Sequence, residues 1–173
     1  MRIIAGKWRG RRIDAPADDR VRPTGDRVRE AWMSIVNSWL PGARVLDLFA
    51  GSGALGLEAL SRGAESVDLV EIAPKSLAVI AANAERLNAG GNLTLHRADA
   101  LRFIERLEPH AYDVAFADPP YGMGLAERVV AHWLEKPFAD ILGIEHAARE
   151  RLAGEGDTRA YGTAAITFFG LDA

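Results

Sequence analysis

The sequence predicts a doubly wound α/β fold built on a mostly parallel sheet, in one domain. Three observations carry this prediction. Short apolar runs alternate with amphipathic segments of helical period from residue 44 onward. A glycine-rich turn, from Gly51 to Gly56, separates the first apolar run from the helix that follows it. The length of 173 residues and the apolar content of 49% suit a single core.

The N-terminal part is predicted to precede the sheet as a small extension. Residues 2–13 alternate loosely and suit a β-hairpin, and the charged, proline-containing stretch up to residue 23 is typical of a loop. Thr24 is the expected N-cap of a helix that reaches about Leu40, because apolar residues recur there at helical spacing. We therefore expect an extension over residues 1–23 and a main body over residues 24–173.

The main body is predicted to alternate strands with helices. The predicted strands are 44–50, 66–72, 92–98, 112–117, 141–145, 158–161 and 164–171. The predicted helices are 54–62, 74–88, 100–107 and 125–135. The last two strands are expected to form a closing antiparallel pair. Because ligands of such sheets bind outside the carboxyl ends of the strands, residues that follow a strand are the first site candidates.

Composition excludes several classes of protein. The sequence has no cysteine, so it carries no disulfide framework and no thiolate metal site. It has no apolar run of membrane-spanning length and no apolar signal-peptide core at its start. The four histidines show no ligand spacing, and we expect no metal. A cytoplasmic location is the expectation, since nothing requires an oxidising compartment.

Charge is distributed unevenly along the chain. Residues 1–30 contain nine Lys and Arg and five Asp and Glu, which gives them a formal charge of +4. The whole chain carries −3, which leaves −7 on the remainder. A basic end on an acidic body favours a local surface that binds a polyanion, although a solvated charged hairpin would give the same count.

The glycine-rich turn follows an acid at the end of the first predicted strand. Gly51 and Gly53 allow a sharp turn and close approach of a ligand, because they have no Cβ. The pattern that they form with Gly56 also matches a dinucleotide fingerprint, and it fits a turn without a ligand. Asp47 favours a ligand, since a carboxylate at a buried strand end is costly unless it is paired.

Two more acids end predicted strands. Glu71 ends the second strand, where its carboxylate can accept both ribose hydroxyls of an adenosine or can face solvent. Asp99 ends the third strand and can accept from an adenine amine while the Ala100 N–H meets the ring, or it can cap the next helix. These acids indicate a nucleoside but do not distinguish NAD from S-adenosylmethionine.

The strip Asp118-Pro119-Pro120-Tyr121 follows the fourth predicted strand. An exocyclic base amine is a poor nucleophile, because its lone pair is delocalised into the ring. The Asp118 carboxylate and the Pro119 carbonyl can accept hydrogen bonds from that amine and favour a pyramidal nitrogen. The prolines stiffen the loop, and Tyr121 can stack on an extruded base. The strip predicts amine methylation, and a Pro-Pro turn with a surface tyrosine is the weaker interpretation.

Together these residues resemble the bacterial 16S rRNA guanine-N2 methyltransferases of the small DPPY type. The resemblance covers nearly the whole chain, and the N-terminal and glycine-turn blocks are its most specific parts. The matching segments are 2–12, 22–30, 46–64, Glu71, Asn83, Asp118–Tyr121 and 161–163.

The resemblance implies a Rossmann-like methyltransferase fold with a seven-stranded, mostly parallel sheet and an antiparallel C-terminal strand. It implies S-adenosyl-L-methionine as methyl donor and 16S rRNA or a small-subunit assembly intermediate as partner, and we expect a monomer. The implied catalytic residues are Asp118, Pro119, Pro120 and Tyr121. The implied cofactor-binding residues are Asp47, Phe49, Ala50, Gly51, Ser52, Gly53, Glu71, Ile72, Asp99, Ala100 and Thr24. The implied RNA-binding residues are Arg2, Lys7, Arg9, Arg11, Arg12, Arg22 and Arg27, whereas Trp8 is expected to pack under the hairpin.

Three other functions fit parts of the sequence. An adenine-N6 methyltransferase on DNA or RNA would use the same strip. An NAD-dependent oxidoreductase fits the glycine pattern and Glu71, but it leaves the strip without a role. A non-catalytic RNA-binding module fits the basic N-terminus, and the retained acids Asp47, Glu71 and Asp118 argue against it.

Overall fold

The computed structural model describes residues 1–17 and 25–172. Its strands are β1 (Arg44–Leu48), β2 (Ser66–Glu71), β3 (Leu93–Arg97), β4 (Tyr112–Ala117), β5 (Ala139–Ala147), β6 (Asp157–Tyr161) and β7 (Ala164–Phe169). Its helices are α1 (Asp26–Val36), α2 (Ala54–Ser61), α3 (Pro74–Leu87), α4 (Ala100–Glu105) and α5 (Leu125–Glu135), and a 3-10 turn over Asn37–Trp39 follows α1.

The described strands form one seven-stranded sheet in the order β3-β2-β1-β4-β5-β7-β6. Strands β1 to β5 pair in parallel, and β7 is antiparallel to both β5 and β6. This confirms the predicted doubly wound sheet with a reversed strand near the C-terminus. The strand order changes direction between β1 and β4, and the crevice at such a switch point is where open α/β sheets bind ligands.

Apolar side chains cover both faces of the sheet. One cluster packs Trp32 of α1 against Phe116 of β4, with ring centroids 5.8 Å apart. The other cluster packs Leu46 and Leu48 of β1 with side chains of α4 and α5. Successive residues of a strand point to opposite faces, which explains why β1 contributes to both clusters. Among the described residues, no helix is both long and apolar enough to span a membrane.

The boundaries differ from the prediction where tertiary structure decides them. Strand β1 ends two residues early, because Phe49 already adopts a positive φ of 57° at the start of the turn. Strand β5 is longer than predicted at both ends, because it pairs with β4 on one side and β7 on the other. The N-cap of α1 is Gly25, and Thr24, the expected cap, lies outside the described residues.

The predicted N-terminal hairpin has a single antiparallel bridge, between Arg2 and Arg12, instead of two regular strands. Hydrogen bonds on either side of this bridge join Ile3 N to Arg11 O and Ile13 N to Met1 O, both at 2.9 Å. Between the two sides of the bridge the chain reverses through tight turns, in which Arg9 N donates to Gly6 O and Arg11 N donates to Trp8 O. Trp8 packs against the core cluster, as expected.

Candidate active site

The glycine-rich turn joins β1 to α2 through three positive φ angles. They occur at Phe49 (57°), Gly51 (59°) and Gly53 (79°). A Cβ at Gly53 would lie 3.2 Å from the Leu69 side chain, so this glycine allows tight packing on the sheet. A Cβ at Gly51 would meet no atom within 4 Å. Gly51 therefore leaves open space above the turn, where a ligand can approach the backbone.

Glu71 connects the end of β2 to this turn. Its Oε1 accepts a hydrogen bond from Gly51 N at 2.9 Å. Its Oε2 accepts from Ile72 N at 2.8 Å and from Ala73 N at 2.9 Å. These three hydrogen bonds fix the carboxylate in place. Because a carboxylate offers about four acceptor positions, it can still accept from a hydroxyl. Ile72, beside it, is 59% exposed and leaves an apolar surface open to solvent.

Asp99 follows β3, the strand that pairs with β2. It is the N-cap of α4, and its carboxylate accepts a hydrogen bond from Arg102 N at 3.0 Å. This is the capping role that the sequence left open as an alternative. The Asp99 side chain is exposed, whereas Ala100 is buried.

Asp47 is the buried acid of the site. It is 1% exposed, and its Oδ2 accepts a hydrogen bond from Gly56 N, in the first turn of α2, at 2.9 Å. A Cβ at Gly56 would lie 2.9 Å from the Val67 side chain, so glycine is required for α2 to approach this closely. Burial raises the pKa of Asp47 well above its ordinary value, against the hydrogen bond from Gly56, and the nearby charges of Asp118 and Glu71 raise it further.

The catalytic strip of the prediction lies beside the glycine turn. Ala117, the last residue of β4, pairs with Leu48, the last residue of β1, and Asp118 N donates to Leu48 O at 3.5 Å. Asp118 and Tyr121 are half-buried and Pro119 is buried. Two glycines with positive φ follow, Gly122 at 78° and Gly124 at 68°, and they turn the chain from the strip into α5.

Apart from Thr24, which lies outside the described residues, the predicted cofactor and catalytic residues thus lie at the carboxyl ends of four adjacent strands. These strands are β3, β2, β1 and β4. The arrangement places the carboxylates of Glu71 and Asp99 on one side of the switch point and that of Asp118 on the other. No cluster of three or more metal-ligating side chains occurs in residues 1–17 and 25–172.

The described residues among those predicted to bind RNA lie on the N-terminal segment, residues 1–17, and at the start of α1. Arg2 donates to Gly10 O at 2.8 Å, Arg11 donates to Arg86 O at 2.7 Å, and Lys7 Nζ lies 4.5 Å from the centre of the Trp8 ring. Among the described residues, the side chains of Arg9 and Arg27 are exposed and have no polar partner, whereas the exposed Arg12 lies near Asp14 and helps to lower the pKa of that carboxyl. Arg22 lies outside the described residues.

Three polar residues that the sequence analysis gave no role fix the N-terminal segment to the body. Glu58 is fully buried and accepts hydrogen bonds from Ile4 N at 2.8 Å and Ala5 N at 3.0 Å. Ser61 Oγ accepts from Trp8 N at 3.0 Å. A glutamate inside the otherwise apolar stretch of α2 is the signal that could have identified this role.

Asn83 makes a second connection. It is fully buried, and its Nδ2 donates to Asp14 O at 2.9 Å and to Ser52 O at 3.0 Å. Its Oδ1 accepts from Asp14 N at 2.8 Å. One side chain of α3 therefore holds both the N-terminal segment and the glycine turn, so the two parts are positioned together.

Comparison with known proteins agrees with this arrangement. The family model described as "Conserved hypothetical protein 95" matches residues 1–153. The chain is 40% identical over 131 residues to the ribosomal RNA small subunit methyltransferase D of Escherichia coli K12, an alignment that spans 75% of this chain and 65% of that protein. It is 37% identical over 147 residues to the protein of the same name from Haemophilus influenzae, over 80% of this chain and 75% of that protein.

A solved structure from Escherichia coli, provisionally named a methyltransferase, superposes with a TM-score of 0.83 at 32% identity. The superposition covers 97% of this chain and 96% of that one. The curated Escherichia coli relative is matched over slightly less than two thirds of its length. The chain therefore belongs to the "Conserved hypothetical protein 95" family, the family that contains the ribosomal RNA small subunit methyltransferases D, as the sequence resemblance indicated.

Proposed function

We propose that this protein methylates the exocyclic N2 amine of a guanine in 16S rRNA, with S-adenosyl-L-methionine as the methyl donor. The observation that carries the proposal is the position of Asp118-Pro119-Pro120-Tyr121 at the switch point, directly beside the glycine turn. The names of the relatives support the reaction and the class of substrate.

The residues around the glycine turn fit this cofactor. The Glu71 carboxylate is fixed by backbone N–H groups and can accept from ribose hydroxyls. The exposed Ile72 can pack on the adenine ring, and Gly51 leaves room for the chain of the methionine part. The bound cofactor would supply a methyl group on a positively charged sulfur, which is a good leaving group.

The strip positions the amine that accepts the methyl group. The Asp118 carboxylate and the Pro119 carbonyl accept its hydrogen bonds, so the nitrogen lone pair is directed away from them, towards the methyl group. Pro119 and Pro120 hold these acceptors rigid, and preorganised acceptors stabilise the charge that develops on the nitrogen. Tyr121 stacks on the extruded base. Positioning of the two reactants provides most of the rate enhancement.

The N-terminal segment supports RNA as the substrate. Arg9, Arg12 and Arg27 extend exposed guanidinium groups, and those of Arg9 and Arg27 have no polar partner among the described residues. Such groups bind phosphates. The segment is held by Glu58 on α2, the helix that follows the glycine turn, and by Asn83 on α3, which also donates to Ser52 O in that turn. A polyanion bound there lies on the same body as the methylation site, which favours rRNA over a small free substrate.

The experiment measures transfer of a labelled methyl group to small ribosomal subunits from a strain in which the gene is deleted. We expect incorporation of one methyl group into 16S rRNA, and digestion to nucleosides should identify it as N2-methylguanosine. Detection of N6-methyladenosine instead would replace guanine with adenine as the target.

The variant Asp118→Ala should reduce the transfer rate by roughly 100-fold or more, in the range of losing a preorganised catalytic acceptor. Its affinity for S-adenosylhomocysteine should change little. Asp140→Ala is the matched control, because Asp140 is a half-exposed acid at the start of β5, at the opposite edge of the sheet, where it pairs with His110 and lies near Arg44. No transfer by the wild type, or equal transfer by Asp118→Ala, would disprove the proposed function.

A further inference from the structure

Strand β5 extends beyond its neighbour β4 at the carboxyl edge. Ala117 ends β4 and pairs with Ile144, whereas β5 continues to Ala147. The chain after β5 is fixed by backbone hydrogen bonds, from Ala148 N to Thr163 O at 2.8 Å and from Glu150 N to Ala147 O at 2.9 Å. The residues that follow β5 therefore lie in a defined position next to the catalytic strip.

A half-open cavity of about 280 Å³ lies between this segment and Gly122, the residue that follows the strip. It is lined by Gly122, Ala147, Arg149 and Glu150. Gly122 directly follows Tyr121, the proposed stacking residue, so the cavity adjoins the end of the strip. Its volume lies just below the range of roughly 300–1,000 Å³ that is typical of pockets for drug-sized ligands, and it suits a single base.

Arg149 and Glu150 give this cavity one charge of each sign. Neither side chain forms a hydrogen bond or an ion pair with any residue in the part of the chain that the structure describes. No ion pair within residues 1–17 and 25–172 therefore neutralises either charge. A donor group and an acceptor group are both available to a molecule that enters the cavity.

Guanine and adenine differ in what they offer to such a pair. Guanine has the acceptors O6 and N7, to which arginine binds well, and an N1–H donor next to its N2 amine. Adenine has an amine donor in place of O6 and an unprotonated N1 acceptor. An ionised carboxylate accepts only, and a guanidinium donates only. The pair therefore matches guanine. On adenine, the carboxylate would face the N1 acceptor and the guanidinium would face the amine donor.

We propose that Arg149 and Glu150 select guanine as the target base of this enzyme. Glu150 accepts from N1–H and Arg149 donates to O6, while Asp118 and the Pro119 carbonyl hold the neighbouring N2 amine. The inference rests on the proposed function and adds to it the two residues that determine base specificity.

The first test compares the rates of methyl transfer by Arg149→Met and Glu150→Gln with that of the wild type, on small subunits that lack the modification. We expect each variant to lower kcat/KM by roughly 5- to 150-fold, as for the loss of one base-edge contact. Melting temperature and S-adenosylhomocysteine affinity should stay at wild-type values. Glu155→Gln is the control, since Glu155 is exposed in the same loop between β5 and β6 and does not line the cavity.

The second test replaces the mapped guanine with 2,6-diaminopurine in reconstituted subunits. This base retains the N2 amine but lacks both N1–H and the O6 carbonyl. The wild type should prefer guanine by a wide margin, and both variants should lose most of that preference. A structural role for these residues would lower the rates on the two bases equally and would leave the preference unchanged.

The outcomes separate the two proposals. If the wild type methylates guanine N2 and the variants match its rate and its base preference, the specificity proposal is wrong and the proposed function stands. A joint loss of melting temperature and S-adenosylhomocysteine affinity in the variants would also contradict it. If the wild type transfers no methyl group to rRNA, both proposals fail.

Discussion

Asp47 is a buried carboxylate whose charged form is destabilised by its surroundings. Burial raises its pKa above the ordinary value of 3.8, and Asp118 and Glu71 add repulsion. A folded-state pKa above the unfolded one means that this group's stability contribution is complete below about pH 4 and is lost as pH rises through the folded pKa. Asp47→Asn keeps an acceptor for Gly56 N and removes the charge. We expect it to raise the free energy of unfolding at pH 8, because the variant has no buried charge to stabilise.

Urea unfolding of the wild type and the variant at pH 5 and pH 8 measures this effect. The stabilisation by Asp47→Asn should be larger at pH 8 than at pH 5. Asp113→Asn provides a contrast of opposite sign. Burial raises the pKa of Asp113, but hydrogen bonds from the backbone and guanidinium of Arg44 outweigh it and hold the pKa below the ordinary value. Its substitution should therefore destabilise at pH 8, and an equal response of both variants to pH would contradict the argument.

Single residues also show how far the sequence predicts the site. The strand-end acids Asp47, Glu71 and Asp118 could be found because a βα alternation fixes which end of each strand is the binding edge. The partners of Glu71 could not, because its carboxylate accepts from Gly51, 20 positions away along the chain. Sequence patterns carry the type of a residue and its local period, whereas its hydrogen-bond partners are decided by the packed structure.

At the scale of elements, the N-terminal segment depends on close backbone contact with α2. A Cβ at Gly6 would lie 1.9 Å from Ser61 O, so Gly6→Ala must move the segment away from the helix. Gly10 also has a positive φ, 81° against 88° at Gly6, but a Cβ there would meet no atom within 4 Å. Both alanines strain the backbone, and only that at position 6 disrupts packing.

We expect Gly6→Ala to lower the free energy of unfolding by roughly 1–3 kcal/mol more than Gly10→Ala, in the range for overpacking. Tryptic cleavage after the arginines of residues 9–12 should also become faster in Gly6→Ala. Urea unfolding and limited proteolysis of the two variants measure these effects. Equal stability and equal cleavage would show that the contact with Ser61 is not important for holding the segment.

Elements differ in how well local sequence predicts them. Strand β4 and helix α5 have the predicted bounds, because each has a regular apolar period and a clear break at both ends. Strand β5 and the N-terminal hairpin deviate. The first is lengthened by pairing on two sides, and the second is held by Glu58, Ser61 and Asn83 instead of by strand pairing. These long-range contacts leave no periodic signal in the segment that they shape.

The whole molecule combines an acidic body with a basic N-terminal surface. The chain carries a net charge of −3, so its overall charge opposes non-specific attraction to RNA, whereas the N-terminal surface favours it. Arg9, Arg12 and Arg27 are exposed there. RNA affinity should therefore depend on a few local phosphate contacts and should fall as salt concentration rises.

The double variant Arg9→Gln/Arg12→Gln tests this distribution of charge. A plot of the logarithm of the binding constant for rRNA against the logarithm of salt concentration should lose about 0.7 of its slope for each phosphate contact removed, the value for single-stranded sites. Arg159→Gln is the control, because Arg159 is half-exposed on β6, at the far edge of the sheet, and pairs with Asp157. It should leave the slope unchanged. Equal slopes for all three proteins would place the RNA on another face, since a contacting arginine cannot be removed without changing the number of displaced counterions.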